Sequence, residues 1–325
     1  MPLTTLLVFL VIAIVVLLGV IVYLLGRKPH CKNLSKIGRY SILRELPSGG
    51  MSRIFVGGRP DKKHVIIKIP VETRPRKENI AKFLEEGAIL SRLKHPHIVG
   101  IEEYGKVTID NFRAGFVALE YVDGHSLDKL IKAGKKFSMQ DASLIISSVA
   151  DALGLCHKNG IYHRDISPNN ILVNYKDNEI KTVKLIDFGI AKWHKEAKYT
   201  TKDMMREQYA SPEQINFEPL DGRSDIYSLG IVYYELITGR KPYATWDRKV
   251  VPPSPAELGL KIPERINSLI LKMLTLNKED RIQSMEEVVQ AIGVAPIGGP
   301  FYSSMSGTGP GAADTTCDIK EPPFL

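Results

Sequence analysis

Cysteine is scarce. The 325 residues hold three, Cys31, Cys156 and Cys317, far apart and with no C-x-x-C pair. An odd, sparse set excludes a disulfide framework and fits a reducing compartment. Internal repeats are absent. The chain is basic, with 44 Lys and Arg against 36 Asp and Glu. Those basic residues are dispersed, and no aromatic–basic motif accompanies them, so nucleic acid is not an expected partner. The net charge suits anionic membrane faces, phosphates and acidic substrates instead.

The most telling absence is of charge near the N-terminus. Leu3 to Gly26 carries no ionisable side chain except Tyr23. About 20 apolar residues cross the ~30 Å of bilayer hydrocarbon as a helix. Met1-Pro2 offers no basic n-region and the apolar run is too long for a cleaved signal, so residues 1–26 read as a retained transmembrane helix. Arg27, Lys28, Lys32 and Lys36 follow on one side only, within a basic linker over 27–36. The positive-inside tendency then predicts a single-pass protein of the cell membrane, its N-terminus outside and its remainder cytoplasmic. The same cluster offers a contact to anionic inner-leaflet lipids.

Residues 37–293 carry regular apolar periodicity, whereas 294–325 are rich in Gly, Pro, Ser and Thr and read as a disordered tail. Strand-like runs at 39–46, 53–56, 64–69 and 116–122 surround a helical pattern at 78–93. A helix capped by Ser138 follows, then a nearly all-apolar helix over 225–238 that closes at Gly239. A strand-rich first third and a helical remainder predict a two-lobed α+β protein.

Several polar residues sit where polarity is costly. Lys68 interrupts the apolar run HVIIKI, on the face of Ile66 and His64, while Val65, Ile67 and Ile69 point the other way. Glu86 borders the apolar stripe of the 78–93 helix and could pair with such a lysine. Asp165 and Asn170 lie five residues apart on one loop, His163-Arg164-Asp165-Ile166-Ser167-Pro168-Asn169-Asn170. A carboxylate there can orient and deprotonate a hydroxyl, and an amide can ligate a metal; an Asx-rich turn would look the same. Asp187-Phe188-Gly189 follows the strand-like Val183–Ile186 and suits a metal-binding carboxylate beside a hinge.

In this order the motifs resemble the protein kinase family, and in detail the eukaryotic-like Ser/Thr kinases of bacteria, over about Arg39 to Ile292. The resemblance implies a bilobal α+β fold: an antiparallel sheet with one helix in the N-lobe (37–121), and a mainly helical C-lobe (122–293). His163–Asn170 matches H-R-D-x4-N, Val65–Lys68 matches V-A-I-K, Asp187–Gly189 matches D-F-G and Ser211–Glu213 matches A-P-E. Asp225 matches the aspartate opening the buried helix, and Arg281 the arginine that pairs with Glu213. Leu90, Ile101, His163 and Phe188 fall at the regulatory-spine positions. By the same resemblance, Lys68 held by Glu86 binds the ATP phosphates and Asp165 is the catalytic base. Asn170 and Asp187 bind Mg²⁺, with Mn²⁺ as a substitute. Leu46, Gly49, Gly50, Ile54, Ile66, Leu119, Glu120, Val122 and Leu172 complete the nucleotide site. The implied partners are proteins bearing Ser or Thr hydroxyls.

The chain departs from the family pattern in places. The glycine-rich loop reads Pro47-x-Gly49-x-x-Ser52, and Ile66 replaces the small alanine that touches adenine. Ser167 stands where Ser/Thr kinases carry a lysine, and Arg206 is the candidate to restore that charge. Thr200 and Thr201 are candidate phosphorylation sites that would pair with Arg164. Two readings compete: a membrane-anchored Ser/Thr kinase, and a membrane-bound pseudokinase serving as a nucleotide-sensing or scaffold module. Retention of Lys68, Glu86, Asp165, Asn170 and Asp187 favours the enzyme.

Overall fold

A computed structural model describes residues 34–47, 52–70, 77–109, 112–188, 208–243 and 251–299. The chain forms two compact units. Among the described residues, the first holds those up to Arg92 together with Gly100–Tyr121; the second holds Leu93–Val99 and those from Val122 on.

The first unit is a six-stranded antiparallel sheet of order β1-β2-β3-β4-β6-β5. Its strands are β1 (Lys36–Ile37), β2 (Tyr40–Leu46), β3 (Ser52–Gly58), β4 (His64–Pro70), β5 (Ile101–Ile109) and β6 (Phe112–Glu120). Helix α1 (Lys77–Arg92) packs on β5 and β6. The alternation read in HVIIKI is present: Val65, Ile67 and Ile69 are buried with Tyr40, Phe55, Phe116 and Ala118, while His64 is exposed. Burying each such side chain contributes about 1.5–3 kcal/mol. Strand β5 is not apparent in the sequence because IEEYGKVTI mixes charge and glycine. It is one face of a half-buried ribbon, its inner positions only partly covered.

The second unit begins with β7 (His125–Ser126), α2 (Leu127–Lys132) and α3 (Met139–Lys158). A 3₁₀ turn at Pro168–Asn170 leads into β8 (Ile171–Lys176) and β9 (Glu179–Leu185), which form a small sheet with β7. Then come α4 (Pro212–Ile215), α5 (Gly222–Thr238), α6 (Glu264–Met273) and α7 (Met285–Ile292). Ser138 caps α3 by accepting from the Asp141 N–H at 3.0 Å. The buried apolar helix starts at Gly222, three residues before the expected Asp225, because Asp221 caps it by accepting from Arg223 N–H. It stops at Gly239, whose φ of 72° suits glycine.

Among the described residues no helix is long and apolar enough to cross a membrane. The segment read as an anchor, and most of the basic linker, lie outside them. The composition-based boundary at residue 293 does not mark the end of order. Ser147 on α3 donates to the Val294 carbonyl at 2.7 Å, and Ile297 N–H donates to Ser148 Oγ at 3.3 Å. Glycine and proline content there reflects a tight turn, closed by Gly299 N–H on Pro296 O at 3.0 Å.

Candidate active site

In the second unit the site is organised around Asp225. Its carboxylate is fully buried and accepts three N–H groups: backbone His163 (2.8 Å), backbone Arg164 (2.8 Å) and the His157 ring Nε2 (2.9 Å). Burial pushes its pKa up, but the His157 hydrogen bond and the neighbouring imidazoles outweigh that and hold it below the ordinary carboxylate value. The His163–Asp165 loop is therefore fixed from behind by one charged acceptor. Arg164 takes a φ of 61°, a conformation uncommon for non-glycine residues, and Gln214 Nε2 donates to its carbonyl at 3.0 Å. Burial lowers the Arg164 guanidinium pKa against the attraction of Asp225.

His163 is wholly buried, and burial keeps it neutral by lowering its pKa. Its tautomer follows from its neighbours. Nε2–H donates to the Ile186 carbonyl at 3.1 Å, and Nδ1 accepts from Asp165 N–H at 3.3 Å. The ring lies 4.7 Å from that of Phe188 at a tilt of 48°, so two of the expected spine residues are in contact. Leu90 is buried within the first unit.

Asn170 is locked to Asp165. Its Nδ2 donates to the Asp165 carbonyl at 2.7 Å and to the Asp165 carboxylate at 3.2 Å. With the amide nitrogen so engaged, Oδ1 is the atom left to ligate a cation. The Asn170 carbonyl accepts from Ile186 N–H at 2.9 Å, which ties this turn to the residue preceding Asp187. Asp187 itself has a φ of 61°, a second left-handed residue in the site. Two hard oxygen donors of this kind fit Mg²⁺ or Mn²⁺, which also take substrate phosphate oxygens and do not need an all-protein cage. No cluster of three His, Cys, Asp or Glu side chains suited to a metal occurs among the described residues. A cavity of about 640 Å³ does occur, bordered by His157, Tyr162, Gly222, Arg223 and Met285. None of Asp165, Asn170 or Asp187 lines it.

The first unit presents its own set. Leu46 pairs with Ile54, Ile54 with Lys68, and Lys68 with Val117 in continuous register across four strands. Directly paired residues share a face, as do residues two apart on one strand. Leu46, Ile54, Ile66, Lys68 and Leu119 therefore all lie on the sheet face opposite the Tyr40–Phe55 core, and Ile66 pairs with both Val56 and Leu119. Glu120 pairs with Val65, its N–H donating to Gly100 O at 2.9 Å. Val122 is partly buried, as is Leu172, which pairs with Ser126 and Lys184 in the second unit.

Other predicted residues lie outside the described set: Gly49, Gly50, Gly189, Thr200, Thr201, Arg206 and the Glu86 side chain. Glu86 falls within α1 by its backbone. The expected Glu213–Arg281 pair is formed, with Nη1 to Oε1 at 2.8 Å and Nη2 to Oε2 at 3.1 Å. Sequence reasoning missed His157, Gln214 and Ser224, which donates to Glu213 at 2.7 Å. His157 and Gln214 reach residues 68 and 50 positions away, which local pattern does not announce; the one local signal is the S-x-x-Q capping box of Ser211 and Gln214.

The profile of the protein kinase domain family matches residues 40–291. The chain belongs to the protein kinase domain family. It is 35% identical to a probable serine/threonine-protein kinase of Clostridium acetobutylicum, over 78% of this chain and 39% of that protein. It is 31% identical to the serine/threonine-protein kinase PknB of Mycobacterium leprae, over 77% of this chain and 42% of that one. The chain thus spans about two fifths of the length of these relatives. The crystal structure of the Mycobacterium tuberculosis PknI kinase domain matches with a TM-score of 0.62 at 23% identity, covering 81% of this chain and 99% of that one. That likeness concerns the fold: the antiparallel strand-rich unit and the helical unit of a bilobal kinase.

Proposed function

We propose that the chain is a membrane-anchored Ser/Thr protein kinase that transfers the γ-phosphoryl group of Mg-ATP to protein hydroxyls, its own included. The observation that carries this reading is the Asn170–Asp165 clasp, set on a loop whose backbone is held by the buried Asp225. Phosphoryl transfer asks a protein mainly for positioning and charge neutralisation. Asp165 orients the attacking hydroxyl and accepts its proton. Asn170 Oδ1 and the Asp187 carboxylate hold the metal. When bound, the metal supplies neutralisation of the phosphoryl oxygens. Lys68, projecting from the sheet beside Ile66 and Ile54, counters the α- and β-phosphates, with Glu86 as its partner. Leu46, Ile54 and Leu119 give the first unit an apolar face for adenine, and Arg164 receives the phosphate of Thr200 or Thr201.

The test is transfer from radiolabelled ATP by the full chain in detergent, against Asp165→Asn and Asn170→Ala. Loss of about 10²–10⁴ in rate in both variants is expected; equal incorporation by wild type and Asp165→Asn overturns the reading.

Ile66 favours the alternative of a pseudokinase, because its side chain shares the Lys68 face and narrows it. Nucleotide binding without transfer, in wild type as in Asp165→Asn, would select that reading.

Residues 3–26, with basic residues on one flank, support a single pass with the kinase unit cytoplasmic. Solubilisation of the full chain by alkaline carbonate without detergent would exclude the anchor.

A further inference from the structure

The second unit carries a basic surface beside its catalytic loop. Helix α2 packs on the Pro168–Asn170 turn, and its last turn holds Lys132, with Lys135 and Lys136 just beyond. Lys136 reaches the end of α5: a Cβ on Gly239 would lie 3.7 Å from its Nζ. Arg240 and Lys241 come next in the chain there. Lys241 is tied to the segment before α4, its Nζ 4.9 Å from the centre of the Tyr209 ring and hydrogen-bonded to Gln208 Oε1. Burial raises the pKa of Tyr209 and of Glu235, and the Asp128 charge adds to it, so the start of α2 lies near the same group.

Two of these cations are placed by aromatic faces rather than by carboxylates. Lys135 Nζ stands 3.8 Å from the Tyr175 ring centre and 6.0 Å from that of Phe137, as Lys241 stands on Tyr209. A ring face orients an ammonium without cancelling its formal charge. Among the described residues, Lys135, Lys136, Arg240 and Lys241 form no ion pair. The carboxylates nearby are engaged elsewhere. Asp128 pairs with Lys132 at 2.8 Å, Glu257 accepts from Ser254 N–H at 2.6 Å, and Asp141 lies in the first turn of α3, where the helix dipole favours it. Glu235 is buried and accepts from Tyr209 Oη at 2.6 Å, so it offers nothing to an incoming cation. The negative ends of α2 and α5 account for Lys132 and Lys136. They do not account for lysines set on rings.

We propose, on the kinase reading above, that this surface selects protein substrates by acidic residues flanking the acceptor Ser or Thr, with Lys135, Lys136, Arg240 and Lys241 as the specificity-determining cations. Its position favours a substrate chain over a membrane face, because two contacts join it to the catalytic loop. One is α2 on the Pro168–Asn170 turn; the other is Gln214, shortly after Tyr209, donating to the Arg164 carbonyl at 3.0 Å. A chain that brings its hydroxyl to Asp165 has these cations on the adjoining elements.

Transfer from radiolabelled ATP by the full chain in detergent is measured on three Thr peptides: four Glu before the acceptor, four Glu after it, and Gln at all of those positions. One acidic peptide is expected to exceed the neutral one about tenfold in kcat/KM, from several exposed pairs acting together. Most of that margin should vanish at about 1 M salt, where the screening length is ~3 Å. Lys136→Glu with Arg240→Glu, both exposed, is expected to bring the ratio to about one or below, and the milder Lys136→Ser with Arg240→Ser to fall between. The ratio is read rather than the rate, so a general loss of activity does not imitate the result. A wild-type ratio near one, or a ratio that charge reversal leaves unchanged, overturns the proposal; if the reversal instead abolishes binding to phosphatidylserine micelles, the surface belongs to the bilayer. Fluorescence anisotropy with the same peptides separates this failure from that of the kinase reading. Absence of transfer to every peptide rejects the enzyme, and tighter binding of an acidic peptide, lost on reversal, still upholds acidic selection here. Equal binding of all three peptides overturns it.

Discussion

Arg281 and Glu213 form a two-pronged ion pair across 68 positions, with side chains 0% and 2% exposed. All five guanidinium N–H groups have acceptors, since Thr275, Leu276 and Arg223 supply carbonyls beside the two carboxylate oxygens. Removing one partner strands the other in the core. Arg281→Met is expected to cost about 3–5 kcal/mol of unfolding free energy. Chemical denaturation of the single and double variants measures it, and Glu213→Gln with Arg281→Met should recover part of the loss.

Acid sensitivity follows from the same pair and from Asp225. Burial raises the Glu213 pKa, but Arg281 more than reverses this and sets it below 4.5; Asp225 is likewise held below 3.8. A carboxylate depressed by folding stabilises above its unfolded pKa and loses that contribution as pH falls through the folded value. Stability is therefore expected to fall steeply below about pH 4.5. Denaturation midpoints for wild type and Glu213→Gln between pH 3 and 7 give the slopes, which should be shallower in the variant.

His163 titrates with the opposite charge. Its folded pKa is lowered by burial, so its neutral form is stable above pH 6.5 and the contribution declines as the ring protonates below that. His163→Phe keeps the ring against Phe188 but strands Ile186 O and Asp165 N–H. A loss of about 1–3 kcal/mol at pH 7.5 is expected, shrinking towards pH 5.5. Thermal melts at the two pH values provide the comparison.

Gly222 has no room for a methyl group. A Cβ there would stand 2.6 Å from His157 Nδ1, on a ring already fixed to Asp225 through Nε2. Alanine would gain about 1 kcal/mol of helix propensity and lose it to the displaced imidazole. Gly222→Ala is expected to be destabilising by about 1–3 kcal/mol and to slow phosphoryl transfer, because the ring it moves supports the Asp225 carboxylate. Melting temperature and turnover should fall together, and a more stable variant would contradict the packing.

Ile66 shares a sheet face with Lys68 and Leu119. Ile66→Ala is expected to lower the KM for ATP by about tenfold, equivalent to ~1.4 kcal/mol, with little change in kcat. Steady-state kinetics over an ATP series is the check; an unchanged KM would place Ile66 away from the base.

What could be read in the chain beforehand was whatever has a period or a fixed spacing. The alternating HVIIKI run placed Lys68 opposite the core, and the five-residue interval from Asp165 to Asn170 matched a hydrogen-bonded clasp. Long-range acceptors were not legible: nothing near His157 announces Asp225, 68 residues on. Boundaries erred where capping decided them, as at Asp221, and where composition was taken for disorder, as at Val294–Gly299.

Leu93–Val99 is built into the second unit although the chain on both sides of it belongs to the first. The Val183 carbonyl and the Lys184 ammonium that it meets on β9 are 86 positions further along. On a ribosome adding roughly 5–20 residues per second, this stretch of backbone emerges some 4–17 s before the strand that receives it. Unit one is thus translated around a seam that only later synthesis can close, and truncating the message before Leu185 leaves that seam open for good.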